Sequence, residues 1–443
     1  MRAINDFMKK FVEKKAQIYI VGGASRDLIL KREVNDWDFT TDLTPEKIQE
    51  IFPKNSFYNN LFGTVSIVNK NKSVYEVTTF RTENAYSDKR HPDEVKWGKN
   101  IEEDLQRRDF TINAIAMDIG GKMIDPYEGQ KDLQNKIIRT VGNADERFAE
   151  DALRMMRAIR IAAQLCFLIE DKTFEAIIKN KELLNNIAPE RIRDELFKIL
   201  KAKYCYEGVI MLKNSGLLKI IIPELLEGVE MSQKGHHIYD VWTHNLEALR
   251  NCQSFDPVTR LACLLHDVGK PVTARGEGAA RTFHGHDVVG SRIALRIGKR
   301  LRLSNVELEQ LFKLVRWHMF SVSEMQTDKA VRRFIKNVTV PYIDEMIALR
   351  RADRVGSGSK ETSWRWELFK KRIIEVQKQP FTVKDLKING LDVMKELNLK
   401  PGPEVGKILN NLFAKVDEDP KLNERSVLLE LLKKENDGNG NRG

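Results

Sequence analysis

The stretch Ile18-Tyr19-Ile20-Val21-Gly22-Gly23-Ala24-Ser25-Arg26-Asp27, followed by Asn35-Asp36-Trp37-Asp38-Phe39, decides the fold of the amino-terminal part. A β-branched apolar run enters a glycine pair. A polar turn is expected next, then a helical patch at Leu28-Ile29-Leu30, then two aspartates one residue apart. Gly22 and Gly23 let backbone come close to a phosphate chain. Arg26 can fork onto phosphate oxygens. If Asp36-Trp37-Asp38 is extended, both carboxylates point to one side and offer hard oxygen ligands to Mg²⁺. A carboxylate pair beside a phosphate cradle suits metal-assisted nucleotidyl transfer. A Gly-Gly turn or an Asp-x-Asp pair alone is an ordinary loop; the combination carries the reading. There is no G-x-G-x-x-G, so the pattern is not that of a dinucleotide fold.

The spacing resembles that of the DNA polymerase β-like nucleotidyltransferases. The chain has 443 residues, enough for about two to four domains. Hydrophobic residues make up 42% and charged residues 31%, a balance expected of a globular chain with real cores. No run is long and apolar enough to span a membrane, and Met1 to Lys15 reads as a charged amphipathic pattern, not a signal peptide. The net charge of +10 suggests a polyanionic partner. Cys166, Cys205, Cys252 and Cys263 are scattered without C-x-x-C spacing, which fits reduced thiols in a cytoplasmic protein.

Apolar, β-branched runs at Ile18–Val21, Val65–Val68, Val74–Phe80 and Ala114–Asp118 predict strands; Pro45–Phe52 and the surroundings of Leu133 predict helices. Val74 to Thr78 alternates, so Glu76 is a third carboxylate that could complete a metal site. The polar stretch from Phe80 to Val95 reads as a mobile loop. In Glu103-Asp104-Leu105-Gln106-Arg107-Arg108-Asp109-Phe110-Thr111-Ile112-Asn113-Ala114, two arginines beside an aspartate could hold a triphosphate and a ribose hydroxyl. Asp125-Pro126-Tyr127-Glu128-Gly129 is a turn. From about Ala144 strand patterns vanish. Asp151, Arg154, Arg157 and Arg160 then recur on one expected helical face, where three arginines repel one another unless an anion lies across them.

These motifs in this order, with Arg147-Phe148-Ala149-Glu150-Asp151-Ala152-Leu153-Arg154 closing the set, resemble the class II tRNA nucleotidyltransferase/poly(A) polymerase family, the CCA-adding enzymes. The resemblance implies an α+β head of polymerase β-like type with an all-α remainder. It divides the chain into a head (1–140), a helical neck for nucleotide selection (141–225), an HD phosphohydrolase-like domain (226–358) and a helical tRNA-binding tail (359–443). It implies addition of CMP, CMP and AMP from CTP and ATP, without a nucleic-acid template, to the acceptor arm of tRNA. Asp36 and Asp38, with Glu76, would hold Mg²⁺. Gly23, Arg26 and Arg108 would hold phosphates, and Asp109 and Asn113 the sugar. Asp151 and Arg154 would read the base, with Arg157 and Arg160 nearer the phosphates. The chemistry agrees. Cytosine and adenine each present an amino donor beside a ring-nitrogen acceptor, which a carboxylate and a guanidinium match; uracil and guanine invert the pattern. Ile187 to Leu196 resembles the family's next motif, which braces this helix.

A second constellation follows. His244, His266-Asp267, His284 or His286, His318 and Asp353 lie in helical stretches, in the order found in HD-domain metal-dependent phosphohydrolases. His286 matches better than His284. Imidazoles and carboxylates together suit Mn²⁺, Fe²⁺, Ni²⁺ or Zn²⁺, and Asp267 could bridge two ions. After Gly356-Ser357-Gly358-Ser359 the chain is basic and helical. Lys400-Pro401-Gly402-Pro403 starts a helix whose free N–H groups could meet an RNA phosphate. The long polar stretch Glu83–Val95, and the lack of the basic motif that marks bacterial poly(A) polymerases after Gly63, favour full CCA addition. Addition of A alone, poly(A) synthesis, or HD phosphohydrolysis as the main activity are the alternatives, and the oligomeric state stays open.

Overall fold

The computed structural model describes residues 2–58, 63–69, 72–84, 94–98, 100–233, 239–277, 281–320, 327–359, 361–377 and 383–439. The head is built on a seven-stranded sheet. In chain order its strands are β1 (Ile18–Ile20), β2 (Trp37–Thr41), β3 (Ser56–Tyr58), β4 (Thr64–Val68) and β5 (Val74–Thr79). The hairpin β6 (Arg81–Asn84) and β7 (Glu94–Trp97) stands apart as a second small sheet, and β8 (Ala116–Met117) and β9 (Met123–Ile124) complete the first. The order across the large sheet is β3-β4-β5-β2-β1-β8-β9. β2 and β5 run parallel, with Asp38 opposite Glu76; the other pairs are antiparallel.

β5 alternates as expected. Tyr75 and Val77 are buried while Val74 and Glu76 face out. The Arg2–Val12 helix places Ile4, Phe7, Met8 and Phe11 on one face and buries them on the sheet. There the Phe7 ring lies 4.9 Å from Phe39, 5.2 Å from Phe52 and 4.9 Å from Tyr75, centroid to centroid. This cluster closes one face of the head and fixes β2, which carries the aspartates.

Beyond the head the chain is helical. One two-residue strand, β11 (Leu168–Ile169), departs from the all-α expectation by pairing parallel to β10 (Ile137–Ile138). A single apolar core runs from Phe110 through the neck helices to Leu349, Trp366 and Phe369. A second, around Val393, Leu412 and Leu428, belongs to the last helices. Arg332 pairs with Asp417, and Arg372 with Asp328 at 2.6 Å.

The structure alters three local expectations. The glycine pair is not followed by a turn: Gly22, at φ 69°, opens the Gly22–Ile29 helix directly. Its positive φ favours glycine, and a Cβ there would crowd Arg108 Nη1 and Asp38 Oδ2, both at 3.2 Å. The stretch expected as a loop is paired at both ends by β6 and β7; residues 85–93 lie outside the described residues. Asp151 is not on the helix with the arginines. It lies in extended conformation at the end of the Ala144–Glu150 helix, and the arginine helix spans Leu153–Leu165.

Candidate active site in the head and metal centre in the HD domain

β2 and the Gly22–Ile29 helix bring Asp38 to the floor of a cleft between head and neck. A cavity of about 240 Å³ is lined by Gly22, Gly23, Asp38, Arg108, Asp151 and Arg154, among others. A larger one, about 580 Å³, adjoins it through Gly23, Asp38, Asn113 and Arg157 and also takes in Arg26, Asp36 and Arg160. The expected head and neck residues therefore converge on one trough, except that Glu76 lines neither cavity. Glu76 is exposed on β5, beside Asp38 in register.

Burial pushes the Asp38 carboxyl up to about 6; Arg108 opposes the shift, and the charges of Glu76 and Asp36 add to it. A carboxylate destabilised by its own carboxylate neighbours fits a divalent cation, which removes both penalties. Asp36 is exposed, and the three head carboxylates do not close into a compact ligand group.

The arginines are not held apart by a missing anion. Each has its own carboxylate. Arg154 meets Glu150 at 2.6 Å, Arg157 meets Asp109 at 2.6 Å, and Arg160 meets Glu195 at 2.9 Å. This corrects the repulsion argument: each arginine is paired with a carboxylate and held in place. Asp151 accepts from Leu153 N at 3.1 Å and from Arg191 at 2.9 Å. The Ile187–Leu196 motif thus braces the arginine helix through Glu195 and holds Asp151, which precedes that helix, through Arg191. Arg26 likewise does not present a free fork. It grips Asp27 with Nε and Nη2, both at 3.0 Å, and donates to Asn113 at 3.0 Å. Asn113 donates in turn to Asp109 at 3.1 Å. Burial would raise the Asp109 carboxyl, but Arg157 and Asn113 win and hold it well below the usual carboxylate range.

One residue given no role on sequence grounds organises the arginines. Asp104 is fully buried and accepts from Arg107 at 2.7 Å and Arg108 at 3.0 Å. Burial opposes its charge, yet the two guanidiniums keep its pKa low. Its sequence setting, the acidic first turn of the Ile101–Gln106 helix, looks like any solvated helix start.

The second constellation assembles from five helices. His244 sits on the Val241–Arg250 helix and Asp353 on Ile343–Gly356; His266 and His318 end the helices Pro257–Leu265 and Asn305–Trp317; His286 begins His286–Arg300. His244 and His266 lie 3.4 and 3.3 Å from Asp267 Oδ2. His286 and His318 lie 3.3 and 3.8 Å from Oδ1. Asp353 meets His244 at 3.1 Å. His284 is exposed on the cavity wall, so the preference for His286 agrees with the geometry.

The imidazoles are aimed by backbone. Nδ1 of His266, His286 and His318 lies 2.8, 2.8 and 2.7 Å from the carbonyls of Cys263, Phe283 and Val315. Donation there leaves each Nε2 lone pair facing the cavity, as a metal ligand requires. Burial, aided by His266, takes His318 down to about 3 and keeps it neutral. Burial also opposes a charge on His266, but Asp267 and Asp353 outweigh it and raise its pKa. Nε2 atoms face one another at 3.0 Å (His244, His266) and 3.4 Å (His286, His318). Such crowded imidazole and carboxylate donors, grouped on both oxygens of Asp267, are a donor set that would suit divalent transition-metal ions. Lys270, given no role of its own on sequence grounds, is buried at 2.5 Å from Asp267 Oδ2 and from Gln233. A cavity of about 680 Å³ opens onto the site.

Family profiles match successive parts of the chain: the poly(A) polymerase head domain over 18–139, an RNA- and SrmB-binding site of polymerase A over 166–228, the HD domain over 235–356, and tRNA nucleotidyltransferase domain 2 over 300–432. A CCA-adding enzyme of Ligilactobacillus salivarius (strain UCC118) is 32% identical over 431 residues, 96% of this chain and 95% of its own. One from Lactococcus lactis subsp. lactis (strain IL1403) is 33% identical over 429 residues, 96% of each chain. Among solved structures, the Bacillus stearothermophilus CCA-adding enzyme in complex with CTP superposes with a TM-score of 0.74 at 28% identity, covering 99% of this chain and 98% of its own. The Thermotoga maritima enzyme complexed with tRNA shares the fold, with a TM-score of 0.59 at 20% identity and coverage of 98% and 95%. No helix among the described residues is long and apolar enough to cross a membrane. The chain belongs to the CCA-adding enzyme family, nucleotidyltransferases that depend on divalent metal.

Proposed function

We propose that this chain adds CMP, CMP and AMP to the 3′ end of tRNA from CTP and ATP, releasing pyrophosphate, with the acceptor arm held by neck and tail. The observation that carries the reading is the continuous trough that joins Asp38 to Asp151 and Arg154. In it Asp151 accepts from the amino group of cytosine or adenine and Arg154 donates to the adjoining ring nitrogen. Asp109 and Asn113 position the ribose. Gly23, Arg26, Arg108, Arg157 and Arg160 line the triphosphate. Asp36, Asp38 and Glu76 would hold Mg²⁺, which supplies Lewis-acid stabilisation of the phosphoryl oxygens. The residues themselves orient the nucleotide, and the buried Asp104 keeps Arg107 and Arg108 facing it. Four unpaired cysteines accord with a cytoplasmic location. The division into head, neck, HD domain and tail near residues 140, 225 and 358 is part of this reading.

The test supplies tRNA transcripts ending before CCA, after C and after CC with ATP and CTP. Extension of all three to CCA is expected. Extension of the CC-ending tRNA alone would identify an A-adding enzyme, and no extension would refute the reading.

A second activity is favoured by the ligand set around Asp267: metal-dependent hydrolysis of phosphate esters, with His244, His266, Asp267, His286, His318 and Asp353 holding Mn²⁺, Ni²⁺ or Fe²⁺. His266→Ala and Asp267→Ala should abolish phosphatase activity measured with added metal and leave nucleotide addition intact. Phosphatase turnover surviving both changes would remove the site from consideration.

A further inference from the structure

Nucleotide addition leaves a pyrophosphate that must go somewhere, and the larger cavity has a destination for it. The sheet order places β2 between β5 and β1, so Glu76 lies on one flank of Asp38 and the Gly22–Ile29 helix on the other. The trough also has two ends. Asp151 and Arg154 stand at one, and Arg26, Arg160 and the carboxyl end of the Pro189–Lys201 helix at the other. A nucleotide whose base meets Asp151 and whose sugar meets Asp109 runs its phosphates past Arg157 toward that second end. In-line displacement requires attacking and leaving oxygens on opposite sides of the α-phosphorus. The leaving group then exits on the side of Arg26 and Arg160.

That end continues into a basin lined by Arg32, Lys198, Lys201 and Lys203, with Asp27, 3.9 Å from Arg32, and Glu33 as the carboxylates beside them. All four side chains are exposed. Lys198 shares Glu195 with Arg160, at 3.1 and 2.9 Å, while Lys201 has no ion-pair partner among the described residues. The Arg160 Nε is buried and, although close to Glu195, has no hydrogen bond of good geometry. These groups hold more positive charge than their own carboxylates balance. None of them is needed for the base or the sugar.

We propose that Lys198, Lys201 and Lys203, with Arg32 and Arg160, form a product subsite for inorganic pyrophosphate. The reaction forms the bond from the RNA 3′-oxygen to the α-phosphorus and breaks the α–β bridging P–O bond. The electron pair stays on the pyrophosphate oxygen, and the hydroxyl proton passes to solvent. The basin takes up the trianionic or tetra-anionic product and carries it away from the reacting phosphorus. This rests on the nucleotidyltransferase reading of the head.

The test uses the full-length protein with Lys201→Gln and with the triple change Lys198→Gln, Lys201→Gln, Lys203→Gln. Inhibition of CTP addition by added pyrophosphate is measured, together with the KM for tRNA. The triple variant should raise the pyrophosphate inhibition constant by about tenfold, and Lys201→Gln alone by about threefold, with the tRNA KM within about twofold of wild type. A tRNA KM that rises while pyrophosphate inhibition stays the same would overturn the proposal and assign the basin to the RNA backbone. Unchanged values for both would overturn it outright. If the triple variant does not fold, the single variant decides by the same criteria. Failure of the wild-type protein to add nucleotides would instead strike the head reading itself, which separates the two outcomes.

Discussion

Asp104 is one carboxylate that fixes two guanidiniums. Its side chain is fully buried, and those of Arg107 and Arg108 are 15% and 16% exposed. Removing it takes a fully buried counter-charge away from two partly buried cations, a loss of about 3 kcal/mol in comparable buried pairs. Asp104→Asn should lower the stability measured by urea unfolding by about that amount and raise the KM for CTP and ATP more than that for tRNA, because Arg108 faces Gly22 and Asp38. A tRNA KM that moved as much as the nucleotide KM would contradict this. The pH dependence has a defined sign. The folded pKa of Asp104 is depressed, as is that of Asp109. Both contribute stability above the unfolded carboxylate range, about 4, and lose it as pH falls through their lower folded values. Asp104→Asn should therefore flatten the acid limb of the stability profile and leave its slope above pH 6 unchanged. Asp104 was illegible in sequence because Glu102, Glu103 and Asp104 look alike there. Only the burial of Ile101 and Leu105 turns the third of them inward. Asp36 with Asp38, and His266 with Asp267, were legible as candidates because neighbours in sequence line one cavity in each case.

At the scale of elements, the proposed base selection would depend on two helices that clasp. The Leu153–Leu165 helix carries Arg154, Arg157 and Arg160, and the Pro189–Lys201 helix holds Asp151 through Arg191 and Arg160 through Glu195. The arginine periodicity was visible in sequence. Its pairing with carboxylates was not, because Glu195 lies 35 positions from Arg160 and Arg191 lies 40 from Asp151. Asp151→Ala would remove the proposed acceptor for the amino group, so UTP and GTP should compete with CTP and ATP. Arg191→Ala leaves Asp151 in place but frees it to turn. It should lower the CTP-over-UTP preference by about tenfold, the weight of one charged hydrogen bond, while changing the rate with CTP less. Arg191→Lys should restore part of the preference. Paired single-turnover assays with CTP and UTP would measure this, and an unchanged ratio in Arg191→Ala would deny Arg191 a positioning role.

The whole molecule couples its two sites through packing. Trp242, Leu246, Leu261 and Leu264 of the HD helices share one apolar core with Met155, Ile159, Leu196 and Ile199 of the neck, whereas the last helices keep a core of their own. A cation that binds the folded HD site must therefore stabilise the neck as well. At a concentration a hundredfold above its Kd, a metal ion adds about 2.7 kcal/mol, which for a unit of this size raises Tm by roughly 5–10 °C. Adding Mn²⁺ or Ni²⁺ to the metal-stripped protein should produce that rise in wild type and not in Asp267→Ala. Hydrogen exchange should then slow in the Pro189–Lys201 helix as well as in the five helices that carry the ligands, since opening the neck would expose the shared core. The head should respond less: its sheet is closed by a separate cluster around Phe7, Phe39 and Tyr75. Slower exchange confined to the ligand helices would mean that neck and HD domain unfold independently despite their common core. A rise in Tm that survives Asp267→Ala would place the ion somewhere other than this site.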